Sequence, residues 1–218
     1  MTEQDFLAEM LKSLNISISQ SSLEQLIRFQ NELFLWNRRF NLTAITDPYE
    51  ALEKHLLDSL TLLPFLKDNI HLLDIGSGGG FPGLPLKIVR ETLELWSVDA
   101  NGKKIAFQNH ICRSLGLVGF HTCHARVENL SLRSFLPRFD MIVARAFSSI
   151  GSFLAVAKPL LNKKGVAVAM KGPGAERELT EASQELEELE MDCFQIHHLR
   201  LPVSCSERAL LFFTSKKL

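Results

Sequence analysis

The sequence predicts an α/β fold: a seven-stranded, mostly parallel sheet with one antiparallel strand, preceded by a helical extension. Three observations predict it. From Ile70 onward, short apolar runs alternate with helix-length amphipathic stretches, the pattern of a parallel sheet covered on both faces. The last two apolar runs are joined by Leu201–Ser206 alone, a connection that permits only antiparallel pairing. Before Ile70 the chain reads as helices with helical apolar periodicity, joined by short linkers.

In the extension, Thr2–Leu14 places Phe6, Leu7, Met10, Leu11 and Leu14 on one face. Ser21 and Glu24 have capping-box spacing at the head of a second helix, which Arg38 and Arg39 close. Asn41–Ile45 is a linker, and Asp47, Pro48 and Glu50 open a third helix. His55 and Asp58 share a face of that helix, either as a surface pair or as a lid over the turn that follows. The spacing sets the boundary between residues 1–67 and an α/β core over 68–218 near Leu66–Ile70. Strands are expected at 71–76, 94–99, 119–124, 139–144, 165–170, 192–200 and 207–214, and helices near 82–91, 102–115, 149–161 and 174–190.

The chain has 218 residues, 46% of them hydrophobic, enough for a sizeable core. No apolar run reaches membrane-spanning length, and Met1–Leu14 is too charged for a secretory leader. Cys112, Cys123, Cys193 and Cys205 are scattered without a CxxC pair, which suits a reducing cytoplasm. Net charge is −1, but Glu176–Glu190 holds seven glutamates against one arginine. The remainder, with 23 basic and 18 acidic residues, carries +5.

Chemistry concentrates at Leu72–Gly83, where an apolar run ends in Asp74 and five glycines follow. Glycine there allows backbone to approach a ligand. Gly78–Gly83 fits the dinucleotide pattern GxGxxG, and Asp74–Gly80 fits DxGxGxG, the pattern of Rossmann-like class I methyltransferases that use S-adenosylmethionine. Asp74 decides between them, because a carboxylate beside the turn repels a pyrophosphate and suits a cationic amino-acid tail. Asp99 ends the next strand, 25 positions on, where an acid accepts hydrogen bonds from a ribose diol or caps the following helix.

Val127 and Glu128 follow the third strand, at the place of an adenine ring; Glu128 also suits a helix cap. The fourth strand ends in Arg145, with neither the Asn/Asp-Pro-Pro-aromatic signature of exocyclic amine methylation nor a cysteine nucleophile beside it. A cation there suits an RNA substrate or a structural ion pair. Lys171, ending the fifth strand, reads as a phosphate contact or a solvated lysine. His121, Cys123 and His124 do not share one strand face, so no metal site is expected.

Leu72–Val89 (LLDIGSGGGFPGLPLKIV), Ser97–Phe107 (SVDANGKKIAF), Ala125–Leu130 (ARVENL), Asp140–Phe147 (DMIVARAF), Trp36–Ile45 (WNRRFNLTAI) and His55–Leu60 (HLLDSL) together resemble the RsmG (GidB) family. Its members are bacterial 16S ribosomal RNA guanine-N7 methyltransferases. The resemblance implies S-adenosylmethionine contacts at Gly76, Phe81, Val127, Glu128 and Arg145, beside Asp74, Gly78 and Asp99 of the general pattern. It implies RNA-binding or catalytic roles for Arg126, Arg145 and Lys171. It also implies 16S rRNA or the 30S subunit as partner for a monomeric cytoplasmic enzyme. Guanine N7 carries a lone pair and no proton, so the missing base and thiol agree with that chemistry, and a carboxylate near the charged product ring is expected to assist.

Overall fold

A computed structural model describes residues 1–132 and 136–216. Its sheet has seven strands in the order β3-β2-β1-β4-β5-β7-β6. These are β1 His71–Ile75, β2 Glu94–Asp99, β3 Phe120–His124, β4 Phe139–Arg145, β5 Leu161–Lys171, β6 Met191–Arg200 and β7 Glu207–Ser215. Only β7 runs against its neighbours, pairing antiparallel with both β5 and β6. The chain leaves β1 toward β2 and β3, then returns to place β4 on the other side of β1. That reversal opens a crevice at the carboxyl ends of β1 and β4, where ligands of such folds bind.

Alternation along the strands builds two cores. Leu72, Leu95, Val143, Met170 and Phe212 face one side. There they meet α1 (Glu3–Ser13), α2 (Gln20–Phe40), α5 (Gly83–Val89) and α6 (Gly102–Leu115). Leu73, Ile142, Ala169 and Phe213 face the other, under α7 (Ile150–Ala157), α8 (Ala175–Glu181) and α9 (Ser183–Glu188). The N-terminal helices thus share a core with the sheet, since Leu26, Phe29 and Leu33 of α2 join the cluster of α5 and α6.

The third helical stretch is the unusual one. It is α-helical at α3 (Pro48–Ala51), widens into a π-turn over Leu52–Leu57, and is α-helical again at α4 (Asp58–Leu60). The Asp47 carboxylate caps it, accepting from Glu50 N–H at 2.8 Å. π-turns are rare and gather at functional sites; this one carries His55.

Local chemistry moved four expected boundaries. The α2 cap is Ser19, whose Oγ accepts from Ser22 N–H at 3.0 Å, not Ser21. Ser21 is already inside the helix, where a Gln20–Glu24 side-chain pair supports the first turn. The stretch expected as one helix at 174–190 divides at Ala182 between α8 and α9, next to Thr180 and Ser183, both weak helix formers. The stretch expected at 149–161 ends as α7 at Ala157 and tightens into a 3-10 turn at Lys158–Leu160. β5 begins four residues earlier than the sequence suggests, because an irregularity between Phe139 and Met141 lets Leu161 pair with Phe139. No helix of the described residues is long and apolar enough to cross a membrane.

Candidate active site

The glycine turn is built from β1 outward. Gly76 and Ser77 N–H both donate to Val98 O, at 2.9 and 3.1 Å, which ties the turn to the end of β2. Gly76, Gly78 and Gly80 have φ of +69°, +57° and +92°, a region that side chains rarely tolerate. A Cβ on Gly76 would meet nothing within 4 Å, and one on Gly78 only Lys104 Nζ at 3.9 Å. These two positions form an open cradle. Gly80 answers a different need, since a Cβ there would fall 2.3 Å from Leu84 Cδ1. We expect Gly80→Ala to lower stability by about 1 to 3 kcal/mol, read as a shifted urea midpoint.

A buried amide fixes the cradle from below. Gln108 Nε2 donates to Ser77 Oγ at 2.8 Å and Gly78 O at 2.9 Å, while its Oε1 accepts from Ser97 Oγ at 2.5 Å. Both of its N–H groups and its carbonyl oxygen are thereby engaged in a fully buried site. Gln108→Leu is expected to raise the dissociation constant for S-adenosylmethionine about tenfold by leaving Ser77, Ser97 and Gly78 O unpaired. Calorimetric titration checks this.

Asp74 is fully buried between β1 and α5. Its Oδ2 accepts from Gly83 N–H at 2.9 Å, and Oδ1 has no protein partner. Burial pushes its carboxyl up to about 7; the Gly83 N–H and the Arg145 guanidinium pull it back in part, and the Asp99 charge pushes it up. Asp99 Oδ2 accepts from Gly78 N–H at 2.9 Å and its Oδ1 from Asn101 N–H at 2.7 Å. The cap of α6 is Asn101, whose side chain accepts from Lys103 N–H at 3.0 Å, so capping does not occupy Asp99. An unpaired buried carboxylate oxygen, an open cradle and a second acid at the next strand end fit a ligand with a cationic amino-acid tail and a ribose.

Arg145 ends β4 on the side of α5 and the N-terminal helices. Its Nη1 donates to Lys54 O at 3.0 Å and lies 3.5 Å from Asp58 Oδ2. Arg208 of β7 donates its Nε to Asp58 Oδ1 at 2.9 Å. One buried carboxylate thus bridges two arginines. Burial lowers the Arg145 pKa, and Asp58 and Asp74 oppose that; a guanidinium stays charged regardless. The guanidinium carbon also lies 5.0 Å from the Phe81 ring centroid, and the His55 ring stacks on Phe81 at 4.6 Å. His55 Nε2 is 2.7 Å from Thr43 Oγ1. Burial first, then Arg145, drive the His55 pKa down to about 4, so the ring is neutral. His55 and Asp58 are therefore no surface pair. They form a fixed wall beside the glycine turn, and Glu53 of the same π-turn accepts from Val203 and Ser204 N–H at 2.6 and 2.9 Å.

The structure brings Asp74, Gly76, Gly78, Asp99 and Arg145 to one sheet edge. Val127 and Glu128 open a 3-10 turn just beyond β3, Glu128 and the preceding Arg126 being exposed. Two expected residues sit differently. Phe81 is 4% exposed, its ring committed to His55, Phe29 and Arg145. Lys171 shares the edge with Arg145 but not the face: Arg145 pairs with Met170, and the next residue points the other way. Its Nζ donates to Glu178 Oε1 at 2.7 Å and Phe147 O at 3.1 Å, and the side chain is 10% exposed. That ion pair holds the amine at the wall of the same cavity that Arg145 lines. The cavity, of about 550 Å³, opens between these groups, lined by Ile45, Lys54, Arg145, Phe147 and Arg208.

Sequence reasoning missed Gln108, Glu53, Arg208 and the bridging role of Asp58. A polar residue amid Ile105, Phe107 and Ile111 was the available signal for Gln108; no local pattern marks the others.

A family model described as GidB, rRNA small subunit methyltransferase G, matches residues 22–208. The chain belongs to this family. It is 43% identical over 213 residues to ribosomal RNA small subunit methyltransferase G of Syntrophotalea carbinolica, covering 98% of both chains. To the same-named protein of Geobacter sp. strain M21 it is 45% identical over 198 residues, 91% of each chain. Among solved structures, a ribosomal protein L11 methylase from Lactobacillus delbrueckii subsp. bulgaricus superposes with a TM-score of 0.57 at 13% identity, covering 79% of this chain and 81% of that one. TrmN from Thermus thermophilus gives 0.56 at 16% identity, over 82% and 53%. At those identities the likeness speaks for the fold, which is that of a class I methyltransferase. As a member of its family the chain is a methyltransferase whose cofactor is S-adenosylmethionine.

Proposed function

We propose that the chain transfers a methyl group from S-adenosylmethionine to N7 of one guanine in 16S ribosomal RNA, as a monomer in the cytoplasm, on free RNA or the 30S particle. The family match over residues 22–208 carries the reading. The end of β4 supports it, because among the described residues the cavity beside Arg145 is lined by neither a cysteine nor an uncommitted carboxylate, Asp58 and Glu178 being held by Arg208 and Lys171. Guanine N7 needs neither, since its lone pair attacks directly.

When bound, the cofactor supplies a methyl activated on a sulfonium. The chain supplies position and a dry setting. Asp74 Oδ1 receives the ammonium of the methionine tail, and Asp99 receives the ribose hydroxyls. Gly76 and Gly78 let the backbone close on the ligand, and Val127 and Glu128 flank the adenine. Arg145, held by Asp58 and the Lys54 carbonyl, orients the substrate at the mouth of the cavity, and Arg126 meets its phosphates. Lys171, tied to Glu178, stiffens the loop after β5. The alkylated base gains positive charge, and the carboxylates at this edge oppose its cost.

Incubation with methyl-labelled S-adenosylmethionine and either naked 16S rRNA or 30S subunits, followed by nucleoside analysis, tests this. Label in 7-methylguanosine is expected. Label in another nucleoside, or in protein alone, would contradict it.

A further inference from the structure

Acidic and basic side chains cluster at different places on the two faces of the sheet. The seven glutamates of Glu176–Glu190 lie on and around α8 and α9. On the other face, the C-terminus of α2 meets the N-terminus of α6, with Trp36 packed on Phe107 and His110 at ring distances of 5.5 and 5.2 Å. Arg38, Arg39 and Lys103 are exposed at this junction. Among the described residues, none of the three has a carboxylate within ion-pairing distance, whereas Arg177 and Arg200 near α8 pair with Glu181 and Glu207. Phe40 sits among them 37% exposed, with Lys103 Nζ 5.8 Å from its ring centroid.

This patch is continuous with the site on two sides. Lys104, beside Lys103, lies 4.0 Å from Asp99 Oδ2 and 3.9 Å from where a Gly78 side chain would begin. The linker after Phe40 leads within a few residues to Thr43, bonded to His55, and Ile45, which lines the cavity. Unpaired cations around an exposed aromatic, beside a cofactor cradle, fit a phosphate backbone with an adjacent unstacked base.

We propose that Arg38, Arg39, Phe40 and Lys103 form the docking surface for the RNA strand flanking the target base, so that RNA reaches the cavity across the α2–α6 junction and away from α8 and α9. This rests on the rRNA reading above. Charge decides the side of approach: RNA laid over α8 and α9 would meet seven carboxylates.

The test is the variant Arg38→Gln/Arg39→Gln/Lys103→Gln, with Lys163→Gln/Lys164→Gln at the far edge of the sheet as control. Binding to a 16S rRNA transcript is measured across a salt series, and S-adenosylmethionine affinity reports an intact fold. The triple variant is expected to bind RNA at least about tenfold more weakly and to lose roughly 2 to 3 from the slope of log affinity against log salt. Its cofactor affinity should stay unchanged, and Arg38→Lys/Arg39→Lys should retain most RNA binding. Phe40→Ala should weaken RNA binding severalfold without changing the salt slope. An unchanged RNA affinity and slope in the triple variant, alongside a wild type that methylates the rRNA, would overturn the docking surface alone. A wild type that neither binds nor methylates rRNA overturns the functional reading and the surface with it.

Discussion

Asp58→Ala is expected to abolish methyl transfer and to lower unfolding stability by about 3 to 5 kcal/mol, the cost of stranding buried charge. Asp58 is 5% exposed and bonds Arg208 Nε at 2.9 Å on one oxygen while facing Arg145 Nη1 at 3.5 Å on the other. Both arginine side chains are about four-fifths covered, so water does not replace the lost carboxylate. Removal leaves Arg145 and Arg208 without their shared counter-charge. Urea unfolding measures the stability, and turnover with saturating cofactor measures the chemistry. Further substitution of Arg145 and Arg208 by Met should recover much of the stability and none of the turnover. Recovery of both would mean that the bridge serves the fold alone.

Asp74→Asn has a consequence of opposite sign for stability and affinity. The Asp74 pKa is raised from 3.8 to about 7, chiefly by burial. The folded chain therefore holds this proton more tightly than the unfolded chain. Its contribution is fully present below the unfolded value and is lost as pH rises through about 7, where a bare carboxylate is left in the core. Wild type should lose about 2 kcal/mol between roughly pH 5.5 and 8.5 from this group, a slope that Asp74→Asn removes. Cofactor affinity goes the other way. A cationic tail on Oδ1 favours the charged form, so wild-type binding should tighten as pH rises through about 7. Asp74→Asn should bind about tenfold to a hundredfold more weakly, with a flat profile. Calorimetric titration across that range decides it; an unchanged affinity would remove Asp74 from the cofactor site.

Both residues show what one sequence can and cannot disclose. Asp74 was legible because its meaning is local: strand, acid and glycine turn are consecutive. Asp99 and Arg145 were legible for the same reason, each ending a strand that parallel topology delivers to one edge. The Asp58–Arg208 bond joins residues 150 positions apart and depends on how β7 enters the sheet. The face taken by Lys171 turns on a one-residue register with β4 that no composition signals. His55 and Asp58 were seen to share a face, but the π-turn that aims them inward has no sequence signature of its own. Gln108 lay in view as a polar residue on an apolar helix face, and only its partners on the glycine turn explain it.

Borohydride reduction and aniline cleavage of 16S rRNA after reaction, which cut the strand only at 7-methylguanosine, test the central claim most directly. The account predicts one new scission site that depends on S-adenosylmethionine and is lost with Asp58→Ala. Full methyl incorporation without scission would place the methyl on another atom and contradict a site built to alkylate N7 without a base.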